Sequence, residues 1–273
     1  DGTFNFYDTE KKTAYQDCYA SLNAGKTLGI GNYDSANIIH SNGKFYLLVG
    51  TSTSNRDHFY IVDAKTLYYE NSAVVGANLR RIDLKSLNNV RIKNERLLCF
   101  YNSIIYNGKV LSNDTYKDES KVKYYDVNEL IAAKEGEAPA VTELDIIQKQ
   151  KINFVLAKDG NVYTLESADN GCNIVKIKND FTLEKVFANF QPAKGPYHSS
   201  PTIGMVASET ENIIYLVSTD GAIYKYILGD SDSLKAPFIA AESGVSITAP
   251  LQLNQQSGAV SYTHLTLPTS ELG

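Results

Sequence analysis

Asn42-Gly43-Lys44-Phe45-Tyr46-Leu47-Leu48-Val49, followed after a polar loop by Phe59-Tyr60-Ile61-Val62-Asp63, decides the fold. Asn-Gly supplies the two successive positive φ angles of a type I′ hairpin turn. The flanking runs are short, β-branched and aromatic, which suits strands and is too short for helices. Val162-Tyr163-Thr164-Leu165 and Ile213-Ile214-Tyr215-Leu216-Val217 have the same character. Nineteen Tyr and ten Phe agree, since flat side chains pack well on a pleated surface. Strands are expected at 43–49, 58–63, 161–166 and 213–218. The strongest helical pattern lies at 127–136 and runs into Glu135-Gly136-Glu137-Ala138-Pro139, which predicts only a short surface helix or turn. No helix longer than about two turns is expected.

The same unit recurs. Asn107-Gly108-Lys109 leads to Val110-Leu111, a polar loop, and an apolar run at 122–125. Asp159-Gly160-Asn161 leads to the run at 162–165, then to 174–177. Glu211-Asn212 leads to 213–217, then to 223–227. The turn glycines 43, 108 and 160 are 65 and 52 residues apart, and Asn212 follows after another 52. A period near fifty residues with four strands per unit marks the blades of a β-propeller. An open β-sandwich is the alternative. Residues 1–259 are therefore expected to be all-β, with four-stranded blades: about four full blades and two partial ones, drawn from a larger ring.

Composition narrows the partners. The net charge of −5 carries no electrostatic footprint for nucleic acid. Three Cys are too few for a disulfide framework, and none stands in a C-x-x-C pair. No apolar run reaches the roughly 18 residues of a membrane span. At 43% hydrophobic and 21% charged, the chain is globular rather than disordered.

The N-terminal part carries a more specific likeness. Gly2-Thr3-Phe4-Asn5-Phe6-Tyr7-Asp8 is followed by Ala24-Gly25-Lys26-Thr27-Leu28-Gly29, Ile38-Ile39, Asn42-Gly43-Lys44-Phe45-Tyr46 and Phe59-Tyr60-Ile61-Val62-Asp63-Ala64-Lys65-Thr66. In order and spacing this resembles the first blades of the surface-lipoprotein β-propellers of Bacteroidota, which are similar to quinoprotein-like and small bacterial repeat propellers, usually seven-bladed. The likeness covers residues 2–67, is looser over 150–250 and is poor over 77–105, where Arg80-Arg81-Ile82-Asp83 departs from the pattern. It implies an extracytoplasmic, cell-surface protein held at the outer membrane by a lipid on a Cys upstream of Asp1. Some relatives capture scarce nutrients, such as corrinoids or glycans, beside an outer-membrane transporter. The implied partners are a small molecule or glycan, or such a transporter.

No catalytic residue, metal site or cofactor is expected from the motifs. Adjacent His198 and Ser199 point to opposite sides of an extended chain, and no G-x-S-x-G elbow is present. Asp230-Ser231-Asp232-Ser233 lacks the Gly and bidentate Glu of a calcium loop and reads as a polar turn. Blade geometry sets the binding expectation. First-to-second and third-to-fourth turns share one face and read as tight, at Ser41-Asn42-Gly43 and Ala64-Lys65-Thr66. Second-to-third loops and blade-to-blade connections share the other face and read as longer, at 51–57, 112–120, 167–171, 194–201 and 242–244. Loops on a rigid scaffold carry binding residues. Arg56, Asp57, Tyr116, Lys117, Tyr197 and His198 are the ligand-binding candidates. A binding module is thus the leading expectation. A lactonase-like or quinoprotein-like enzyme and a non-binding scaffold remain the alternatives.

Val260-Ser261-Tyr262-Thr263-His264-Leu265-Thr266-Leu267-Pro268-Thr269 resembles a translated sequencing adapter, so residues 260–273 read as a non-native tail. Such a tail has no evolved partner in the core. Ending the chain at Ala259 is expected to leave stability within about 1 kcal/mol of the full chain, the scale of one ordinary substitution, as read by thermal melting.

Overall fold

The computed structural model describes residues 3–8, 13–19, 21–22, 26–27, 33–51, 58–63, 88–91, 103–113, 120–132, 139–149, 154–191, 204–218, 220–241, 246–247, 251–253, 260–262 and 265–266. Strands β1 (Thr3–Asp8) and β2 (Thr13–Tyr19) pair, as do β3 (Ser21–Leu22) and β4 (Lys26–Thr27). A four-stranded sheet follows in the order β5 (Tyr33–Ser41), β6 (Lys44–Thr51), β7 (His58–Asp63), β8 (Asn88–Arg91). The next contains β9 (Ile104–Tyr106), β10 (Lys109–Asn113), β11 (Ser120–Asp126) and β12 (Thr142–Gln148), with the six-residue helix α1 (Val127–Ala132) between β11 and β12. A third holds β13 (Val155–Leu156), β14 (Val162–Ala168), β15 (Gly171–Ile177) and β16 (Leu183–Phe190). Three strands follow: β17 (Met205–Ala207), β18 (Ile213–Val217) and β19 (Ile223–Ile227). Finally β20 (Ser246–Ile247) pairs with β23 (Leu265–Thr266), and β21 (Leu251–Leu253) with β22 (Val260–Tyr262). The chain divides into two compact units, residues 1–100 with 108–114 and 124–142, and residues 101–107 with 115–123 and 143–273.

The expected strands are present as β6, β7, β14 and β18, and the described helix stays under two turns. The hairpin logic holds where it was strongest. Asn42 and Gly43 have φ of 50° and 72°, and Asn107 and Gly108 have 46° and 72°. Ser41 pairs with Lys44, so Asn42-Gly43 is a two-residue turn.

Turn chemistry in the second unit follows another rule. Three five-residue turns, 157–161, 178–182 and 218–222, share one wiring. The first residue's N–H donates to the fifth residue's carbonyl at 3.0, 3.0 and 2.9 Å. The fourth residue's N–H donates back to the first carbonyl at 2.9, 2.8 and 3.0 Å. The central Asp159, Asp180 or Asp220 accepts the fifth residue's N–H on Oδ1 at 3.1, 3.0 and 3.1 Å. The fourth residue is left-handed each time: Gly160 at 77°, Phe181 at 64° and Gly221 at 86°. Phe181 accepts that conformation without being glycine, and its ring meets Tyr106 edge-on at 5.8 Å.

Two loop expectations are corrected. The strand beside β7 is β8, paired Phe59 with Val90, so the third-to-fourth connection spans residues 64–87 and is not the tight link expected at Ala64-Lys65-Thr66. Local pattern marks where a strand ends but not which later run closes the sheet, and that run lies where the repeat is weakest. The loop at 167–171 is not long. Ala168 pairs with Gly171, which leaves Asp169-Asn170 as a two-residue turn, with Gly171 at a φ of 115°. The stretch at 260–262 forms a three-residue antiparallel ladder with β21. A two-stranded ladder so short is marginal by itself.

The core of the second unit lies between two sheets. Tyr163, Leu165, Cys172, Ile174 and Phe190 pack against Met205, Ile214, Leu216 and Tyr226, all buried, with Leu234 closing one edge. On the other face of β18, Ile213, Tyr215 and Val217 pack with Ile223 and Leu253. Every residue of β18 is buried, so this strand has no solvent face. Apolar side chains packed from both sides give the core its stability, about 2–5 kcal/mol for each large residue cut to Ala.

The glycines are not equivalent. A Cβ on Gly160 meets nothing within 4 Å, whereas one on Gly171 would sit 2.5 Å from the Phe190 carbonyl and 2.5 Å from Gln191 Nε2. Gly160→Ala is expected to cost only the left-handed penalty of about 1–2 kcal/mol. Gly171→Ala is expected to cost clearly more, because backbone must move. Urea midpoints of the two variants, compared at equal m-value, check the order.

Candidate functional site

Arg56, Asp57, Tyr116, Lys117, Tyr197 and His198 all lie outside the described residues. The turn end of the third sheet, between β13 and β14 and between β15 and β16, is described in full, and its polar centre escaped the sequence reading. Asp159 Oδ2 accepts the Tyr163 hydroxyl at 2.9 Å and the Lys176 ammonium at 3.1 Å. Lys176 Nζ also lies 5.9 Å above the Tyr163 ring. Tyr163 is 1% exposed, and its ring meets that of Tyr226 edge-on at 6.1 Å. The signal was present in sequence as a turn Asp with a Tyr four residues on and a Lys on the neighbouring strand, but pairing register is needed to bring the three together.

Electrostatics define what this centre can do. Burial pushes the Asp159 carboxyl up, yet the hydrogen bonds from Asn161, Tyr163 and Lys176 outweigh it and hold the group below the ordinary carboxylate range. Burial, then the hydrogen bond to Asp159, pushes the Tyr163 phenol far above its usual value. The carboxylate is thus charged and compensated, and the phenol stays protonated. Neither the carboxyl nor the phenol is poised to exchange a proton near neutrality, so the pair is built for holding a turn rather than for acid–base chemistry.

The neighbouring turns are tied in the same way. Tyr106 donates its hydroxyl to Asn179 Oδ1 at 2.6 Å, and that hydroxyl lies 2.9 Å from the Gly160 carbonyl. Asn107 Nδ2 donates to the Asn179 carbonyl at 2.8 Å, and Lys158 Nζ to the Thr210 carbonyl. In the first unit, Asp126 caps α1, accepting the N–H groups of Asn128 and Glu129 at 2.8 and 3.1 Å, and pairs with Lys109 at 2.7 Å. The Lys109 hydrogen bond, followed by the Glu129 amide, lowers the Asp126 carboxyl.

Other candidate chemistry resolves into structure. Asp230 accepts the Asp232 N–H at 3.0 Å and caps a single 3-10 turn, and Lys235 pairs with Asp232 at 2.8 Å, as expected of a polar turn. Buried Gln148 donates to Thr164 Oγ1 at 3.0 Å and to the Leu165 carbonyl at 2.9 Å. Ser112 stands at the same offset from its turn glycine as Thr164, and its buried hydroxyl has no partner among the described residues. Cys172 is a buried thiol. Among the described residues no group of three or more His, Cys, Asp or Glu could hold a metal ion, and no helix is long and apolar enough to cross a membrane.

Successive antiparallel four-stranded sheets, together with one solved relative, define a β-propeller. One relative, a quinoprotein alcohol dehydrogenase-like protein from Bacteroides thetaiotaomicron, is 90% identical over 98% of this chain and 68% of its own, with a TM-score of 0.64. The chain belongs to the family described as a domain of unknown function, DUF5074, whose pattern matches residues 1–255. A puromycin hydrolase variant aligns at 10% identity over 97% of this chain and 44% of its own, TM-score 0.48. A streptogramin B lyase aligns at 13% over 85% and 64%, TM-score 0.41. No curated protein matches the chain.

Asp159→Asn removes the charge that Lys176 and Tyr163 both use, and is expected to cost about 1–2 kcal/mol at neutral pH, the scale of a charged hydrogen bond. A lowered carboxyl contributes stability above its unfolded value near about 4, and that contribution fades as pH falls through the lower folded value. The gap between parent and variant should therefore close on acidification. Urea titrations from neutral pH downward measure it.

Proposed function

We propose that this propeller is a binding module that presents its longer loops to a small molecule, a glycan or a partner protein. One observation carries the reading: on the described turn end of the third sheet the polar groups are spent on one another. Asp159, Lys176, Tyr163, Tyr106 and Asn179 are mutually satisfied, which leaves a ligand few unpaired groups there. The opposite loops, with Arg56, Asp57, Tyr116, Lys117, Tyr197 and His198, are the proposed contact surface. Tyr and Arg combine area with hydrogen bonding, which suits recognition.

The resemblance of residues 2–67 to surface-lipoprotein propellers motivates a proposed place at the cell surface, anchored by lipid beside an outer-membrane transporter. The ligand would be a scarce nutrient such as a corrinoid or glycan. The relative's name favours a second reading, an alcohol-oxidising quinoprotein-like enzyme. Dye reduction by alcohols, with a quinone cofactor added, separates the two.

The test is a pair of double substitutions in the intact protein, screened on a glycan array and with cobalamin. Tyr197→Ala with His198→Ala is expected to abolish binding to whichever probe the parent retains, and Lys44→Ala with Lys65→Ala to leave it intact. Loss only in the lysine pair would reverse the assignment of faces, and a parent that binds none of these probes would count against nutrient capture.

A further inference from the structure

We propose that Asn42 is a built-in deamidation site, the one of the chain's three Asn-Gly pairs that the fold leaves open to this reaction. The pairs are Asn42-Gly43, Asn107-Gly108 and Asn170-Gly171. All three carry the same local chemistry, because glycine has no Cβ to hinder attack by its own nitrogen. The fold separates them.

Asn107 is tethered. Its Nδ2 donates to the Asn179 carbonyl at 2.8 Å, and the Gly108 carbonyl accepts the Val127 N–H at 2.9 Å. Swinging the Asn107 side chain over Gly108 breaks the first of these bonds. Asn170-Gly171 is crowded. Gly171 is paired with Ala168 across the hairpin, and the space beside its Cα is filled by the Phe190 carbonyl and the Gln191 amide, each 2.5 Å from where a Cβ would stand. Gln191 Nε2 also donates to the Asn170 carbonyl at 2.7 Å. Asn42 has neither restraint. It is exposed, its side chain has no hydrogen-bond partner among the described residues, and nothing lies within 4 Å of a Cβ built on Gly43. The neighbouring Ser41 is anchored, its hydroxyl donating to Asn128 Oδ1 at 2.6 Å, so the turn tip can open without unseating the strand.

The reaction needs only water. The Gly43 nitrogen attacks the Asn42 side-chain amide carbon and forms the fifth bond of a succinimide ring. The bond from that carbon to Nδ2 breaks, and ammonia leaves with the proton from the Gly43 N–H. Water then opens the ring at either carbonyl, giving Asp or isoaspartate, with nothing oxidised or reduced. Both products add a negative charge at the turn. Isoaspartate also routes the main chain through the side-chain carbons, lengthening a two-residue turn whose register joins Ser41 to Lys44.

The experiment incubates the full-length protein at mildly alkaline pH and follows the three Asn-Gly peptides by mass spectrometry, with isoaspartate detected enzymatically. A parallel sample is kept in denaturant. In the native sample the Asn42 peptide is expected to convert from amide to acid several-fold faster than the other two, and in denaturant the three should react at similar rates. Asn107 or Asn170 converting as fast as Asn42 in the native protein would overturn the proposal. So would an order that persists unchanged in denaturant, since the fold would then not be its cause.

Discussion

A left-handed residue at the fourth place of a five-residue turn, locked by an aspartate at the third, fixes where strands reverse in the second unit. Without it the first and fifth residues do not close their ladder bond, and the strands beyond lose their register. The wiring recurs around Asp159, Asp180 and Asp220 although the sequences around them share little else. Backbone geometry is the constant, and the side chain that secures it is a carboxylate small enough to reach its own neighbours. At Asp159 the second oxygen is put to further use by Tyr163 and Lys176, which joins turn, sheet and core in one network.

From that register follows the alternation that fills the core. Once Val162 pairs with Ile177, Tyr163 and Leu165 turn to one face and Val162 and Thr164 to the other. The first face meets β17–β19 through Ile214 and Leu216, and the second receives Gln148. A slip of one residue would exchange the two sets and part the Tyr163–Lys176 pair that meets at Asp159. Polar stitching at the turn end and apolar packing between sheets are therefore one constraint seen at two places.

Much of this was legible in the residues. The Asn-Gly and Asp-Gly pairs marked true reversals, and the apolar runs after them are strands, because both signals are local. Which distant run closes a sheet was not legible: β8 pairs with β7 across a long connection, and no neighbour-to-neighbour pattern encodes that. The loop at 167–171 was misjudged because polar residues were read as length, when Asn170-Gly171 is a tight-turn signal. The Asp159 centre stayed hidden for the same reason as β8, since Lys176 reaches Asp159 only through pairing. The six loop candidates rested on exposure and residue type, which say where contact is possible and not what is contacted.

The complete burial of β18 has a consequence for the chain before it is folded. Ile213-Ile214-Tyr215-Leu216-Val217 is uncharged, free of proline and glycine and high in β propensity, which is the composition of a self-pairing segment. In the native protein both faces and both edges of this strand are taken. On the ribosome, or after partial unfolding, they are not. Glu209 and Glu211 on one side and Asp220 and Lys225 on the other stand as charged gatekeepers around it. The strand that does most to unite two sheets is thus also the one whose exposure most threatens solubility, and the charges beside it belong to the route by which the protein reaches its fold as much as to the fold itself.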